Sequence, residues 1–361
     1  MYNYFLQQRV NIYAETGKGL TFYDNERELT QLKKQVEYNW LQEVNSQSLQ
    51  FALRNLDISY HNFFNKRSKF PNFKKKANRQ SFGVPQHFSI TGTKLNIPKC
   101  KGIKIKLHTP VIGKMRSVTV TKTPSDKYFA SILCELDIPE PIYRGEVIGI
   151  DFGIKTFITT SEGEKTDPPK YLRKSEHKLK KLQRKVSKKK KGSNNRYKAR
   201  KKLARLHEKV SNQRTDFLHK LSRKLVNDNQ VIYIEDLNLK GMIRNHKLAK
   251  SISDAGWYQF VNMLQYKGKW YGCNLDKIDR WFPSTKRCIL CGHINDNLTL
   301  ADRSWTCPRC TAYHDRDINA ALNILIFGRA GTAPTLVSED TTNACGEDKL
   351  QLPSTGNSDP H

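Results

Sequence analysis

Cys288-Ile289-Leu290-Cys291 and Cys307-Pro308-Arg309-Cys310, with 15 residues between them, run on into His314-Asp315-Arg316-Asp317-Ile318-Asn319. Two C-x2-C knuckles at this spacing are the pattern of a four-thiolate zinc ribbon. Four protein ligands close the coordination sphere, so zinc at Cys288, Cys291, Cys307 and Cys310 is expected to be structural. Gly292 after the first knuckle suits a tight turn. His293 and His314 flank the ribbon and read as surface or supporting residues rather than ligands. The carboxylates beyond the ribbon open a helix expected over Asp317 to Phe327, with Ala320, Ala321, Ile324 and Leu325 facing inward.

Two further acids end apolar runs. Val147-Ile148-Gly149-Ile150-Asp151-Phe152-Gly153 reads as a buried strand carrying Asp151, with Phe157–Thr160 as its hairpin partner. Val231-Ile232-Tyr233-Ile234-Glu235-Asp236 reads as a second buried strand ending in acids, and Leu275–Asp279 as one more. Asp151, Glu235 and either Asp315 or Asp317 each lie beside apolar sequence, where an unpaired charge is costly. A shared divalent cation removes that cost, and hard oxygen ligands suit Mg²⁺ or Mn²⁺. Two such ions about 4 Å apart can activate a water and stabilise the leaving oxygen of a phosphodiester. Any one of these acids alone would more simply be a cap or a salt-bridge partner, and Asp317 could be a helix N-cap.

Charge points to the partner. The 361 residues carry 63 Lys+Arg against 34 Asp+Glu, a formal net charge of +29. Such self-repulsion calls for a polyanion, so nucleic acid leads and a membrane surface follows. Residues 170–224 alone hold 23 Lys/Arg and three acids, a net +20. Leu179, Leu182 and Val186 form one apolar stripe there, and Leu203, Leu206, Val210, Phe217 and Leu221 another, with a turn at Gly192–Asn195. This predicts a basic helical hairpin that tracks phosphates through Lys188, Lys189, Lys190, Lys191, Arg196, Arg200, Lys201 and Lys202. A basic loop with Lys74, Lys75, Lys76 and Arg79 beside Phe70 and Phe73 suits stacked bases and backbone.

Residues 24–65 read as helical, with Trp40, Val44, Leu49, Ala52, Leu53, Leu56, Tyr60 and Phe63 recurring at spacings of three to five as one apolar stripe. Between 82 and 138, the runs Phe88–Ile90, Lys94–Ile97, Ile103–Leu107, Val118–Thr121 and Tyr128–Leu133 alternate apolar and polar, as in a small antiparallel barrel or sandwich. Trp257, Phe260, Val261 and Leu264 share a helical stripe. No apolar run of about 18 residues occurs, and Met1–Gln8 lacks the features of a signal peptide. A cytoplasmic, nucleoid-associated location of bacterial type is expected. In that reducing setting Cys100, Cys134, Cys273 and Cys345 are scattered thiols rather than a disulfide framework.

At four places the chain resembles the TnpB (OrfB) family of insertion-sequence transposons, related to the type V CRISPR effectors. They are Gly149–Gly153, Ile234-Glu235-Asp236-Leu237-Asn238, Trp281-Phe282-Pro283-Ser284-Thr285-Lys286, and the ribbon running into Asp315–Ala321. The resemblance implies an α/β RNase H-like (RuvC) nuclease domain over 145–328, containing the basic hairpin (170–225) and the zinc ribbon (286–312). It implies a helical recognition-like lobe (1–80) and a wedge or OB-like β-barrel (81–144) before it, with a disordered tail (329–361) after it. It places the catalytic, metal-binding acids at Asp151, Glu235 and Asp317. It also implies a guide RNA from the transposon end, a double-stranded DNA target, and magnesium or manganese beside zinc. Sequence would then be read mainly by base pairing. Compared with the family, the chain starts inside the first helix, so a strand and part of a helix are expected to be missing. Two other readings remain: a non-catalytic zinc-ribbon regulator that binds nucleic acid, and a transposase proper. The ribbon separates Glu235 from Asp317, so loss of zinc is expected to disturb the placement of Asp317.

Overall fold

Three helices open the chain in the computed structural model, which describes residues 1–75, 80–137, 145–244, 249–299 and 301–331. Helix α1 (Tyr2–Thr16) stops at Gly17, whose left-handed backbone donates its N–H to Tyr13 O. Helix α2 (Phe22–Leu32) starts with a capping box between Thr21 and Asp24. Helix α3 (Ser46–Phe64) starts at Asn45, whose side chain accepts from Gln47 N–H. The single helix expected over 24–65 is therefore two helices joined through a 3₁₀ turn, Val36–Gln42. Asn45 competes for backbone N–H groups and starts a new helix, and Trp40, expected on the buried stripe, is exposed. Phe5, Leu6, Leu29, Leu32, Leu41, Leu49, Leu53 and Leu56 close this helical core.

Six strands follow: β1 (Gln80–Val84), β2 (Ser89–Thr91), β3 (Lys94–Ile97), β4 (Cys100–Lys104), β5 (Lys114–Lys122) and β6 (Tyr128–Glu135). They make two three-stranded antiparallel sheets, β1-β5-β6 and β2-β3-β4. Val84, Val118, Leu95 and Ile97 unite both sheets in one core. The strand expected at Ile103–Leu107 begins earlier, because pairing with β3 sets Ile103 opposite Leu95 and Cys100 opposite Ile97.

Next come β7 (Val147–Phe152), β8 (Ile158–Thr160) and β9 (Lys165–Thr166), then the long helices α4 (Tyr171–Ser187) and α5 (Asn194–Asp228). After β10 (Val231–Glu235) lie α6 (Leu239–Arg244), α7 (Ala249–Ala255), α8 (Trp257–Tyr271) and β11 (Asn274–Ile278). The hairpin β12 (Ser304–Thr306) and β13 (Tyr313–Asp315) leads into α9 (Arg316–Gly331).

The chain divides into two units, one of Met1–Tyr143, Pro169–Lys224 and His246–Gly272, the other of Arg144–Pro168, Leu225–Asn245 and the chain from Cys273. The basic helices thus group with the N-terminal elements, although sequence order nests them inside 145–328. Contacts from α5 account for this. Lys201 pairs with Asp126 at 2.9 Å, and Lys127 reaches Glu208 at 3.1 Å. Lys267 on α8 is buried and donates to His219 O and Ser222 Oγ of α5 at 2.7 and 2.8 Å.

The second unit is built on a five-stranded sheet, β11-β10-β7-β8-β9. Strands β7, β10 and β11 are parallel, β8 runs antiparallel between β7 and β9, and β9 returns to the direction of β7. Parallel strands are covered on both faces, which explains the continuous apolar runs Ile148–Ile150 and Ile232–Ile234. Ile324 of α9 packs with Tyr233 and Ile278 of the sheet. Helix and sheet approach closely at Gly149, where an added Cβ would stand 2.3 Å from Ala321 O. Among the described residues no helix is long and apolar enough to cross a membrane. Lys76, Arg79, residues 138–144 at the expected barrel boundary, and 332–361 with Cys345 lie outside the described residues.

Candidate functional site

The ribbon is two near-identical knuckles. Gly292 N donates to Cys288 O and Thr311 N to Cys307 O, each at 2.9 Å; Cys288 N donates to His293 O and Cys307 N to Ala312 O, each at 2.8 Å. Gly292 and Thr311 both take a left-handed backbone (φ 72° and 59°), the bend that turns each pair of sulfurs to one point. The four Sγ atoms lie within 4.8 Å of one another. Cys288–Cys310 and Cys291–Cys307 are each 3.6 Å apart. A tetrahedral ion with Zn–S bonds of about 2.3 Å needs sulfurs about 3.8 Å apart, so the donor set and spacing can hold a structural metal such as zinc. His314 Nε2 lies 3.1 Å from Cys288 Sγ and its ring sits against Trp305, so it supports a sulfur as expected.

Asp151 and Glu235 leave the sheet side by side. Ile150 pairs with Ile234 on the parallel strands β7 and β10, and the two acids are the next residues on each. Equivalent residues on parallel neighbours share a face, and the strands are about 4.8 Å apart. Burial, then the negative charges of Glu235 and Asp317, pushes the Asp151 carboxyl up to about 8. Asp151 is therefore within electrostatic reach of both other acids. Burial also raises Glu235, partly offset by the hydroxyl that Ser284 donates to its Oε1. Asp317 in the first turn of α9 faces Arg316 at 3.0 Å and Arg303 at 3.9 Å. Asp151 and Glu235, without an ion pair among the described residues, and Asp317, paired with two arginines, offer oxygen atoms of the kind a hard cation would take. They are not part of the one group of three or more potential metal ligands found among the described residues, the four sulfurs.

The neighbouring acids have other work. Asp315 Oδ1 accepts the N–H groups of Asp317 and Ile318, each at 3.1 Å, so Asp315 caps α9 in place of Asp317. Burial opposes its ionisation, but Lys165 at 2.7 Å and those N–H groups hold its carboxyl below the usual range. Asp236 is held low by Lys277 and Arg280, away from Glu235. An open cleft of about 500 Å³ lies beside it, lined by Asp236, Lys277, Ile278, Asp279, Arg280 and Trp281.

Three polar residues missed in the sequence complete this region. Asn319 Nδ2 donates to Arg287 O (2.8 Å) and its Oδ1 accepts from Ile289 N (3.1 Å). Asn323 Nδ2 donates to Ser284 O (2.8 Å) and Arg287 O (2.6 Å). Asn319, Asn323 and Ser284 are all buried. The signal was present as two asparagines four apart on the inward stripe of a helix, where a buried amide must find partners.

Of the basic residues expected to bind nucleic acid, Lys188, Lys189, Lys190, Lys191, Arg200 and Lys202 are exposed. Arg196 instead donates to Val186 O and Lys189 O at 3.0 and 2.8 Å, closing the α4–α5 turn, and Lys201 pairs with Asp126. Lys75 is exposed, while Lys74 lies over the Tyr2 ring at 4.1 Å.

Residues 131–246 match the OrfB_IS605 family, described as "Probable transposase", and residues 257–324 match the "Cas12f1-like, TNB domain". The chain is 42% identical over 338 residues to a "Putative RNA-guided DNA endonuclease" of Streptomyces pristinaespiralis, covering 92% of this chain and 84% of that protein. It is 32% identical over 320 residues to the "Putative RNA-guided DNA endonuclease InsQ" of Escherichia coli K12, covering 84% and 79%. Its fold is similar to that of Cas12f1 in a complex with sgRNA and target DNA, with a TM-score of 0.52 at 15% identity over 90% of this chain and 80% of the other. Motifs, coverage and identity agree: the chain belongs to the TnpB (OrfB) family.

Proposed function

We propose that this protein is a transposon-encoded, RNA-guided DNA endonuclease that cleaves phosphodiester bonds with Asp151, Glu235 and Asp317. The observation that carries this reading is the meeting of three carboxylates from separate parts of the chain, with Asp151 pushed up to about 8. The strand order β9-β8-β7-β10-β11, with only β8 reversed, supports an RNase H-like (RuvC) core. The two small sheets with a common core support the wedge-like barrel, and α1–α3 the recognition-like lobe.

Magnesium or manganese held by the three acids would supply the activated water and the charge that stabilises the leaving oxygen. Asp151 and Glu235 would hold the ion at the carboxyl ends of the neighbouring interior strands β7 and β10, and Asp317 would approach it from α9. Lys188–Lys191, Arg200 and Lys202 bind backbone phosphates of guide and target without reading sequence. Zinc at the four cysteines holds the ribbon. The names of the relatives support guide RNA and DNA as partners.

The test is to purify the protein with its bound RNA, sequence that RNA, and supply matched duplex with Mg²⁺. Wild type is expected to cut, and Asp151→Ala to bind equally and not cut. Cleavage by Asp151→Ala would refute the assigned site. Binding without cleavage by wild type would favour a regulator, and joined strands a transposase proper.

A further inference from the structure

Ser284 touches both halves of the acid site, one through its side chain and the other through its backbone. Its hydroxyl donates to Glu235 Oε1, and its carbonyl accepts Asn323 Nδ2 from α9 at 2.8 Å. Three residues on, Arg287 O accepts both Asn323 (2.6 Å) and Asn319 (2.8 Å), and Ile289 N donates to Asn319 Oδ1 at 3.1 Å. The segment from Ser284 to Ile289 is thus fixed to the helix that carries Asp317, while its first residue holds Glu235. Ser284 is 3% exposed, Asn319 1% and Asn323 3%, so water cannot replace these partners. Cys288 lies within the same segment, which makes the first zinc knuckle part of the link.

A glutamate has three side-chain torsions, and a strand-end glutamate beside a second carboxylate would turn away from it. One hydroxyl donated to Oε1 opposes that rotation and leaves Oε2 free for a cation. Groups that hold a metal-binding carboxylate in place contribute about 10–100-fold to affinity or activity. We infer that Ser284 is the positioning residue of Glu235, and that Asn319 and Asn323 lock it so that the second and third acids move as one. This rests on the acid-site reading above.

The test measures Mn²⁺ uptake by the full-length protein, from the electron paramagnetic resonance of the free ion. The uptake lost in Asp151→Ala defines the site. Ser284→Ala is expected to bind Mn²⁺ at this site at least tenfold more weakly, with zinc content and binding of guide RNA unchanged. Ser284→Thr keeps the hydroxyl and is expected to restore affinity to within about threefold of wild type. Asn323→Ala is expected to weaken Mn²⁺ in the same direction with Ser284 still present. Wild-type affinity in Ser284→Ala would overturn the inference, as would equal losses in the alanine and threonine variants, which would mean packing rather than the hydrogen bond. If wild type and Asp151→Ala take up Mn²⁺ alike, the acid-site reading falls and this inference with it. If wild type binds at the site and Ser284→Ala matches it, only the inference falls.

Discussion

Gly149→Ala tests how closely the acid site depends on the seating of α9. The new Cβ would stand 2.3 Å from Ala321 O, 2.7 Å from Leu325 N and 2.9 Å from Leu325 Cβ. Two of these are backbone atoms of α9, so no side-chain rotation relieves the clash. Ordinary contact begins near 3.4 Å, which requires helix and strand to separate locally by about 1 Å. Overpacking of this kind costs about 1–3 kcal/mol. Asp151 lies two residues along the same strand, and Asp317 one turn before Ala321 on the same helix. A misplacement of about 1 Å between reacting groups costs about a hundredfold in rate. The expected result is a urea midpoint lowered by that energy and single-turnover cleavage slowed about a hundredfold, with guide RNA still bound. Wild-type cleavage in a variant that is measurably destabilised would show that strand and helix can separate without moving the acids, and would refute the argument. Wild-type stability would show that the close approach itself is wrong.

Three other outcomes follow from the same geometry. Glu235→Gln is expected to abolish cleavage, whereas Asp236→Asn loses only exposed ion pairs with Lys277 and Arg280, worth about 0.2–1 kcal/mol, and is expected to cut within about threefold of wild type. Without added Mg²⁺ or Mn²⁺, Asp151 costs stability: its carboxyl, raised from 3.8 to about 8, keeps its proton in the fold after the unfolded chain has released it. That cost is absent below about pH 4, grows as pH rises and levels off above about 8. Its ceiling is about 6 kcal/mol, which partial solvent access reduces, so Asp151→Asn should gain stability over wild type in denaturant melts at pH 8 and match it at pH 4. Cys307→Ser combined with Cys310→Ser should lose zinc, measured by metal analysis, and lose cleavage, because the ribbon and the Ser284–Ile289 segment share Cys288. Activity surviving in that double variant would sever the coupling.

Legibility in the sequence followed the strength of local physics. The apolar strands β7 and β10 and the cysteine knuckles were readable because a doubly covered strand and a tetrahedral thiolate site each impose a pattern within a few residues. The break between α2 and α3 was not, because Trp40 and Val44 continue the apolar period while Asn45 ends it with one side-chain hydrogen bond. The two-residue β9 and the three-residue strands β12 and β13 escaped notice because such lengths carry no periodicity. Asp151 and Glu235 were legible as strand-end acids. Spacing could not choose between Asp315 and Asp317, and the expectation of Asp317 came from the family resemblance; which of the two caps α9 is decided by backbone N–H groups. Arg196 and Lys201 show the converse limit: within a run of like charges, sequence cannot single out the cations used internally.

Charge compensation separates the acids of this region by role. In a chain with 63 basic residues, an exposed carboxylate finds a partner easily, and Asp236 and Asp315 do so, with Lys277, Arg280 and Lys165. Asp151 and Glu235 have no ion pair among the described residues, and both are pushed up by burial. Neutral groups meet them directly, the Ser284 hydroxyl at Glu235 and the paired strand at Asp151, and the Arg316 charge only partly offsets the rise at Asp151. Asp317 is intermediate, facing Arg316 and Arg303. A lysine or arginine wedged between Asp151 and Glu235 would have stabilised the fold and occupied the position a cation needs. Leaving that position without a basic side chain costs stability in the metal-free protein, and under the proposed function the same omission would let a dication be held by the fold with its outer face open to phosphate.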